Sequence, residues 1–237
     1  GGTTNITTLN ADDDIDLGSL ASTGSVTLTT SGTTGNASVV NASALDLAAS
    51  SVGGNLIATA TTGNVTDTGI VTVGGTTNIT TTNADDDIDL GSLASTGPVT
   101  LTTSGTTGNA TVVNASALDL AASTVGGNLA VTATTGNLTD SGAVAVGGTT
   151  TLTTSAANAT IDVGTTASTG AVSLNTNGAS GSATIVHANA LDLGVSSVGG
   201  NLVATATTGN VTDSSTVTVG GTTNITTLNA DDDIDLG

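Results

Sequence analysis

The chain repeats itself at a fixed interval, and no other property limits its fold as strongly. GGTTNITT opens at Gly1, Gly74 and Gly220, and GGTTTLTT at Gly147; the steps 74−1, 147−74 and 220−147 are all 73 residues. Residues 1–18 and 220–237 are identical. An interval kept without insertion or deletion marks a repeat architecture, in which each unit buries its apolar face only against its neighbours. The repeats run 1–73, 74–146 and 147–219, with a partial 220–237, and form one continuous segment over 1–237. The chain opens and closes within its own motif, so it is expected to be a segment of a longer protein.

A unit of this length is too long for one solenoid turn, and glycines divide it. Gly24, Gly54 and Gly75 each precede an alternating stretch, and the intervals to the next such glycine, Gly97, are 30, 21 and 22. Three unequal coils per unit are therefore expected. The fourth residue after each glycine is Ile6, Leu28, Ala58, Ile79, Leu101, Val131, Leu152, Leu174, Ala204 or Ile225, always apolar. The residue after that is Thr in every case but Asn175. Strands point successive side chains to opposite faces, so one column should face in and its neighbour out. Further strands are expected around Asp14–Leu17, Ser38–Val40, Ala44–Leu47, Asn64–Asp67 and Ile70–Val73, with Gly-rich steps at the turns. Pro98 follows a glycine at a strand entry, where a lost donor is tolerated. Helix is disfavoured by the abundance of β-branched residues and glycine. About ten coils at ~4.8 Å give a rod of roughly 48 Å, advancing about 14 Å per unit.

Composition excludes whole classes of partner. The chain has 19 acidic residues, all Asp, and no Lys or Arg, for a formal charge of −19. Without cations it cannot neutralise phosphates, so nucleic acid is excluded as an expected partner. An anionic membrane would repel it, and no apolar run approaches the ~20 residues of a spanning helix, so membrane insertion is not expected. Aromatic residues, Met and Cys are absent. The core must then be narrow and aliphatic, with no disulfide to hold it.

Three sets of side chains invite chemistry. Asp12, Asp13, Asp14 and Asp16 recur as Asp85, Asp86, Asp87 and Asp89 and as Asp231, Asp232, Asp233 and Asp235. Clustered carboxylate oxygens suit a hard cation, so Ca²⁺ is the one cofactor to consider. The spacing matches neither an EF-hand loop nor the calcium-binding nonapeptide, and unit three carries Ala157-Asn-Ala-Thr instead. The alternative is a solvated acidic corner that keeps a rod soluble. Single acids form further columns: Asp46, Asp119 and Asp192; Asp67, Asp140 and Asp213; and Asp162 in line with Asp16 and Asp89. Paired acids can hydrolyse glycans, but an active site normally appears once, whereas these repeat with the unit. The chain is therefore not expected to be an enzyme, and the acids are read as solubilising or turn-capping. His187, the one histidine, replaces Asn41 and Asn114 and is expected on a polar turn. The outward Thr column could match an ice lattice, or simply reflect the fit of Thr to an exposed strand. Of eleven Asn-X-Ser/Thr sequons, from Asn5 to Asn224, many are expected from composition alone, and a host with the machinery could glycosylate such sites.

Val52-Gly-Gly-Asn-Leu-Ile-Ala-Thr-Ala-Thr-Thr-Gly-Asn-Val-Thr-Asp-Thr-Gly and Ala44-Leu-Asp-Leu-Ala-Ala-Ser-Ser-Val-Gly-Gly-Asn-Leu resemble the repeats of filamentous-haemagglutinin-type secreted proteins. The resemblance extends over the whole chain and implies a bacterial surface or exported protein with a right-handed parallel β-helix shaft. The expected fold is thus all-β, a right-handed parallel β-helix (β-solenoid) with three coils per 73-residue repeat and about ten coils. The expected role is a structural extracellular or cell-surface shaft or filament, self-associating end to end or side to side. It would supply reach, stiffness and resistance to trypsin-like proteases. The alternatives are an adhesin or Ca²⁺-dependent biofilm or matrix module, with host-cell or matrix glycans as partners, and an ice-binding surface.

Overall fold

Val26-Thr-Leu-Thr-Thr-Ser buries its first, third and fifth side chains and turns the others outward, and the same alternation governs nearly every strand of the chain. The structure is a computed structural model that describes residues 2–237. Among these residues there is no helix. All strand pairings are parallel, and they build two sheets, one of 16 strands and one of 13. The chain passes from one sheet to the other and back, forming a β-solenoid of about 11 turns with about 21 residues per turn.

The expected column faces inward. Leu28, Ala58, Ile79, Leu101, Val131, Leu152, Leu174 and Ala204 are buried, while Ile6 and Ile225, in the end turns, are partly buried. Aliphatics of different size stack along the axis, as where Ala58 lies between Val39 and Ile79. This interlocking fills a narrow core without aromatics.

The coil count differs from the expectation. Thr4 of unit one pairs with Val26, and its equivalent Thr150 pairs with Val172, both in the larger sheet. Thr77, the equivalent in unit two, lies in the smaller sheet, as does Thr223. Seven rungs of the larger sheet separate Thr4 from Thr150. One unit is therefore three and a half turns, not three coils, and each unit is rotated by half a turn relative to the last. The physical reason is that the recurring element is a half-turn, one side of the solenoid and one corner. The interval from Gly24 to Gly54 is a turn and a half, not one long coil. It carries the chain from strand Val26–Ser31 of the larger sheet to strand Leu56–Ala60 of the smaller. The advance per unit becomes about 17 Å, and about 11 turns span roughly 53 Å.

The half-turn also divides the outward Thr column. Thr59, Thr80, Thr102 and Thr124 stack on the smaller sheet, bounded by Val40 and Ala145. Thr132 and Thr153 stack on the opposite face, followed by Asn175. No single ladder runs the length of the rod. Strand Ser50–Val52 and its repeats were absent from the expected set; a two-residue break at Ala48-Ala49 separates it from Leu45–Leu47.

Candidate functional site

The acidic clusters sit at corners, where the chain leaves one sheet for the other. Asp12 follows strand Thr4–Ala11 with φ 65°, and Asp85 follows Thr77–Ala84 with φ 66°. Left-handed backbone is tolerated best by Asp and Asn after Gly. Oδ1 of Asp12 accepts the N–H groups of Thr33 and Thr34, both at 3.0 Å, from the corner one turn further along. Oδ1 of Asp85 does the same for Thr106 and Thr107, both at 2.9 Å. Those donors hold the two carboxyls below the ordinary carboxylate range, with the N–H groups of Thr34 and Thr107 the leading causes. The receiving corner carries Gly32 (φ 85°) or Gly105 (φ 82°), where a Cβ would lie 2.4 Å from the aspartate Oδ1. Only glycine lets the two corners close on each other.

Several of the remaining cluster members are also engaged. Oδ1 of Asp14 accepts the Asn36 N–H at 2.7 Å and the Asn36 Nδ2 at 3.0 Å; Asp87 holds Asn109 in the same way. Asp13 accepts from Asn10 Nδ2 and Asp86 from Asn83 Nδ2, both at 3.0 Å. Asp86 also accepts the Gly63 N–H, and Asp232 the Gly209 N–H at 2.7 Å. The Asp233 N–H donates to Asn210 Oδ1 at 2.9 Å. Asp231 is exposed, and Asp16, Asp89 and Asp235 point outward from the strands that follow. Among the described residues, no three acidic or histidine side chains form a group that could hold a metal ion. Asn158 takes the Asp12 position in unit three with φ 62°, and its Oδ1 accepts the Ser180 N–H at 2.9 Å. A neutral amide thus takes one of the two N–H groups that the carboxylate accepts at the other corners.

The half-turn rotation sets where the clusters lie. Asp12–Asp14 carry the chain from the larger sheet to the smaller, and Asp85–Asp87 from the smaller to the larger. They occupy opposite edges of the rod. Asp85–Asp87 and Asp231–Asp233 share an edge, seven turns or about 34 Å apart. At physiological salt that exceeds the Debye length of about 8 Å several times over.

The single acids divide into two kinds. Asp67 accepts the Gly91 and Ser92 N–H groups at 2.9 Å each, where strand Ile88–Ser95 bulges between Leu90 and Leu93. Asp140 does the same for Gly164 and Thr165 at 2.8 Å each. These are bulge caps. Burial pushes the Asp67 carboxyl up despite its two donors, and the charges of Asp89 and Asp46 add to the rise. Asp46, Asp119 and Asp192 each keep Oδ1 buried without a hydrogen-bond partner. A surface groove of 520 Å³ beside Asp46, between Thr23, Ser25, Asn64 and Thr66, offers that one carboxylate.

One expectation is overturned. Asn41, Asn114 and His187 do not lie on a polar turn; they are fully buried at strand ends. Oδ1 of Asn41 accepts the Ser22 N–H at 2.8 Å, and its Nδ2 donates to Ser22 O at 2.9 Å and Ala44 O at 2.7 Å. Asn114 repeats this on Ser95 and Ala117. In unit three His187 Nε2 accepts the Ser168 N–H at 2.7 Å, so the ring proton resides on Nδ1, 3.2 Å from Asn189 O. An Asn amid small polar residues reads as a turn; its signal as a buried group was recurrence at one fixed place beside a strand.

These features define a tandem-repeat parallel β-solenoid whose recurring polar groups lock corner to corner. The chain belongs to the family described as Repeats of unknown function (DUF5649), matched over residues 34–102, 107–175 and 180–237. No curated protein matches the chain, and no solved structure does.

Proposed function

We propose that this chain is a stretch of a structural extracellular shaft or filament, within a giant repeat protein of the filamentous-haemagglutinin type. One observation carries the reading. A continuous column of buried aliphatics runs through every unit between two unbroken parallel sheets, and the recurring acids Asp12, Asp14, Asp67 and Asp85 are engaged in holding corners and bulges. Continuous strand ladders around a dry core give a rod that resists bending and unfolding, the physics that makes cross-β assemblies durable. The lack of Lys and Arg leaves trypsin-like proteases no site. Self-association end to end or side to side would extend such a rod.

The test is electron microscopy of chains of two, three and six units, with Ca²⁺ and with chelator. A shaft predicts straight rods that lengthen by about 17 Å per added unit, with chelator making no difference. Rods that do not lengthen in proportion would overturn the reading. Assemblies that come apart in chelator would replace it with a Ca²⁺-dependent matrix module.

A further inference from the structure

We propose that His187 makes the third unit a pH-gated weak point of the rod: protonating its ring opens a corner that Asn41 and Asn114 hold closed in the first two units whatever the pH. The imidazole is fully buried, and Nε2 faces two groups of one residue, the Ser168 N–H at 2.7 Å and the Ser168 Oγ at 3.0 Å. The backbone N–H has no lone pair to offer. A second ring proton, which must go on Nε2, would meet that N–H head on. Either the proton leaves, or the ring gives up its bond to the N–H and turns Nε2 toward the Ser168 Oγ, the one acceptor in reach, which opens the corner.

No neighbour can compensate the charge. The ring is faced by Thr166 and Ser168 of strand Ile161–Ser168, by Asn189 after its own strand, and by Ala206 of strand Leu202–Ala206. None of these titrates, and a buried unpaired cation is strongly disfavoured. Burial accordingly holds the ring below its ordinary value of 6.5. For a base depressed in the fold, the stabilisation is complete above the unfolded value and is lost as pH falls below it, because the unfolded chain then binds the proton that the fold refuses. The loss is therefore expected as pH drops through 6.5 toward 5.

The corner is already the weaker one before any proton arrives. Thr4 Oγ1 lies 3.1 Å from Ser22 Oγ, and Thr77 Oγ1 donates to Ser95 Oγ at 2.9 Å. In unit three the Ser168 Oγ lies 3.2 Å from Gly170 O and 3.0 Å from the imidazole Nε2, and Thr150 Oγ1 is left buried without a partner. Opening here would free the edges of the turns that His187 joins, so the rod would yield at one defined place in mild acid.

Amide hydrogen exchange on the full chain tests this, comparing protection factors at about pH 7.5 and about pH 5. Expected is a fall of about tenfold or more at residues 166–170 and 187–190, with residues 93–97 and 114–117 changed less than about threefold. His187→Asn should abolish the difference, and Asn114→His should transfer it to unit two. Equal falls in both units, no fall in either, or a fall that survives His187→Asn would overturn the proposal. Should Asn114→His not fold, the His187→Asn comparison decides alone.

Discussion

Asn158 stands where Asp12 and Asp85 stand, and it keeps their positive φ and one of their two bonds to the next corner. The corner can therefore close on an sp² oxygen of a residue that accepts left-handed backbone, and a charge strengthens that closure without being required for it. Asp85→Asn should lower the melting temperature modestly at neutral pH and Asp85→Ala further, because in the alanine variant two N–H donors lose their acceptor and alanine resists φ > 0. The acid response separates the roles further. The Asp85 carboxyl is held below its ordinary value of 3.8 by the N–H groups of Thr107 and Thr106. Its stabilisation is present above that value and is lost as pH falls through the lower, folded one. The drop in melting temperature between about pH 5 and about pH 2.5 should thus be smaller in Asp85→Asn than in the parent chain. Equal drops would mean that the carboxylate does not hold the corner. The sequence displayed the acids openly but not their task. Clustered Asp reads as a charge cluster, and only the stacking of corner on corner shows the Oδ1 of Asp12, Asp14, Asp85 and Asp87 aimed at a backbone N–H one turn away. His187 and the two asparagines were hidden for a related reason: residue type signalled surface, while their backbone partners Ser22, Ser95 and Ser168 drew them inside.

Strand by strand, the inward and outward faces were legible because a period of two is unambiguous when Val, Leu and Ile alternate with Thr. Leu101 is fully buried, and Thr102 beside it faces outward between Thr80 and Thr124. Leu101→Ala should cost about 2–5 kcal/mol by leaving a cavity in a core with little freedom to collapse. Leu101→Asp should cost more, since it places an unpaired charge in that core. Thr102→Asp should stay within about 1 kcal/mol. Thermal melts that rank Leu101→Asp and Thr102→Asp as equally harmful would refute the register. The turn count was not legible. Gly24 and Gly54 open strands that look alike, and nothing local records that those strands lie in different sheets. Corners occur on both edges of a flattened solenoid and require the same glycines, so marking corners counts half-turns without saying so. The intervals of 21 and 22 residues happened to be whole turns, which made the interval of 30 look like an enlarged one.

At the scale of the molecule, seven half-turns per unit give the rod two equivalent faces. Each position of one unit recurs on the opposite side in the next, and returns to the same side only after 146 residues, as from Thr80 to Thr226. This limits what a repetitive surface can bind: a Thr ladder of four, Thr59 to Thr124, gives way to Ala145 rather than extending. It also means that lateral partners would be met on both sides alike, so side-to-side association would build sheets rather than pairs. The rotation is directly measurable. Thr80, Thr153 and Thr226 occupy equivalent outward positions in successive units, on the smaller, larger and smaller sheets. Spin labels on cysteines at Thr80 and Thr226 should be about 34 Å apart along one face. Labels at Thr80 and Thr153 should be separated by about 17 Å along the axis and, in addition, by the thickness of two sheets packed about 10 Å apart. With whole turns per unit, all three labels would share one face and the second distance would be close to half the first. A Thr80–Thr153 distance of half the Thr80–Thr226 distance would therefore refute the half-turn rotation. A larger one would establish that the rod is two-faced, and with it the alternation of acidic corners between its edges.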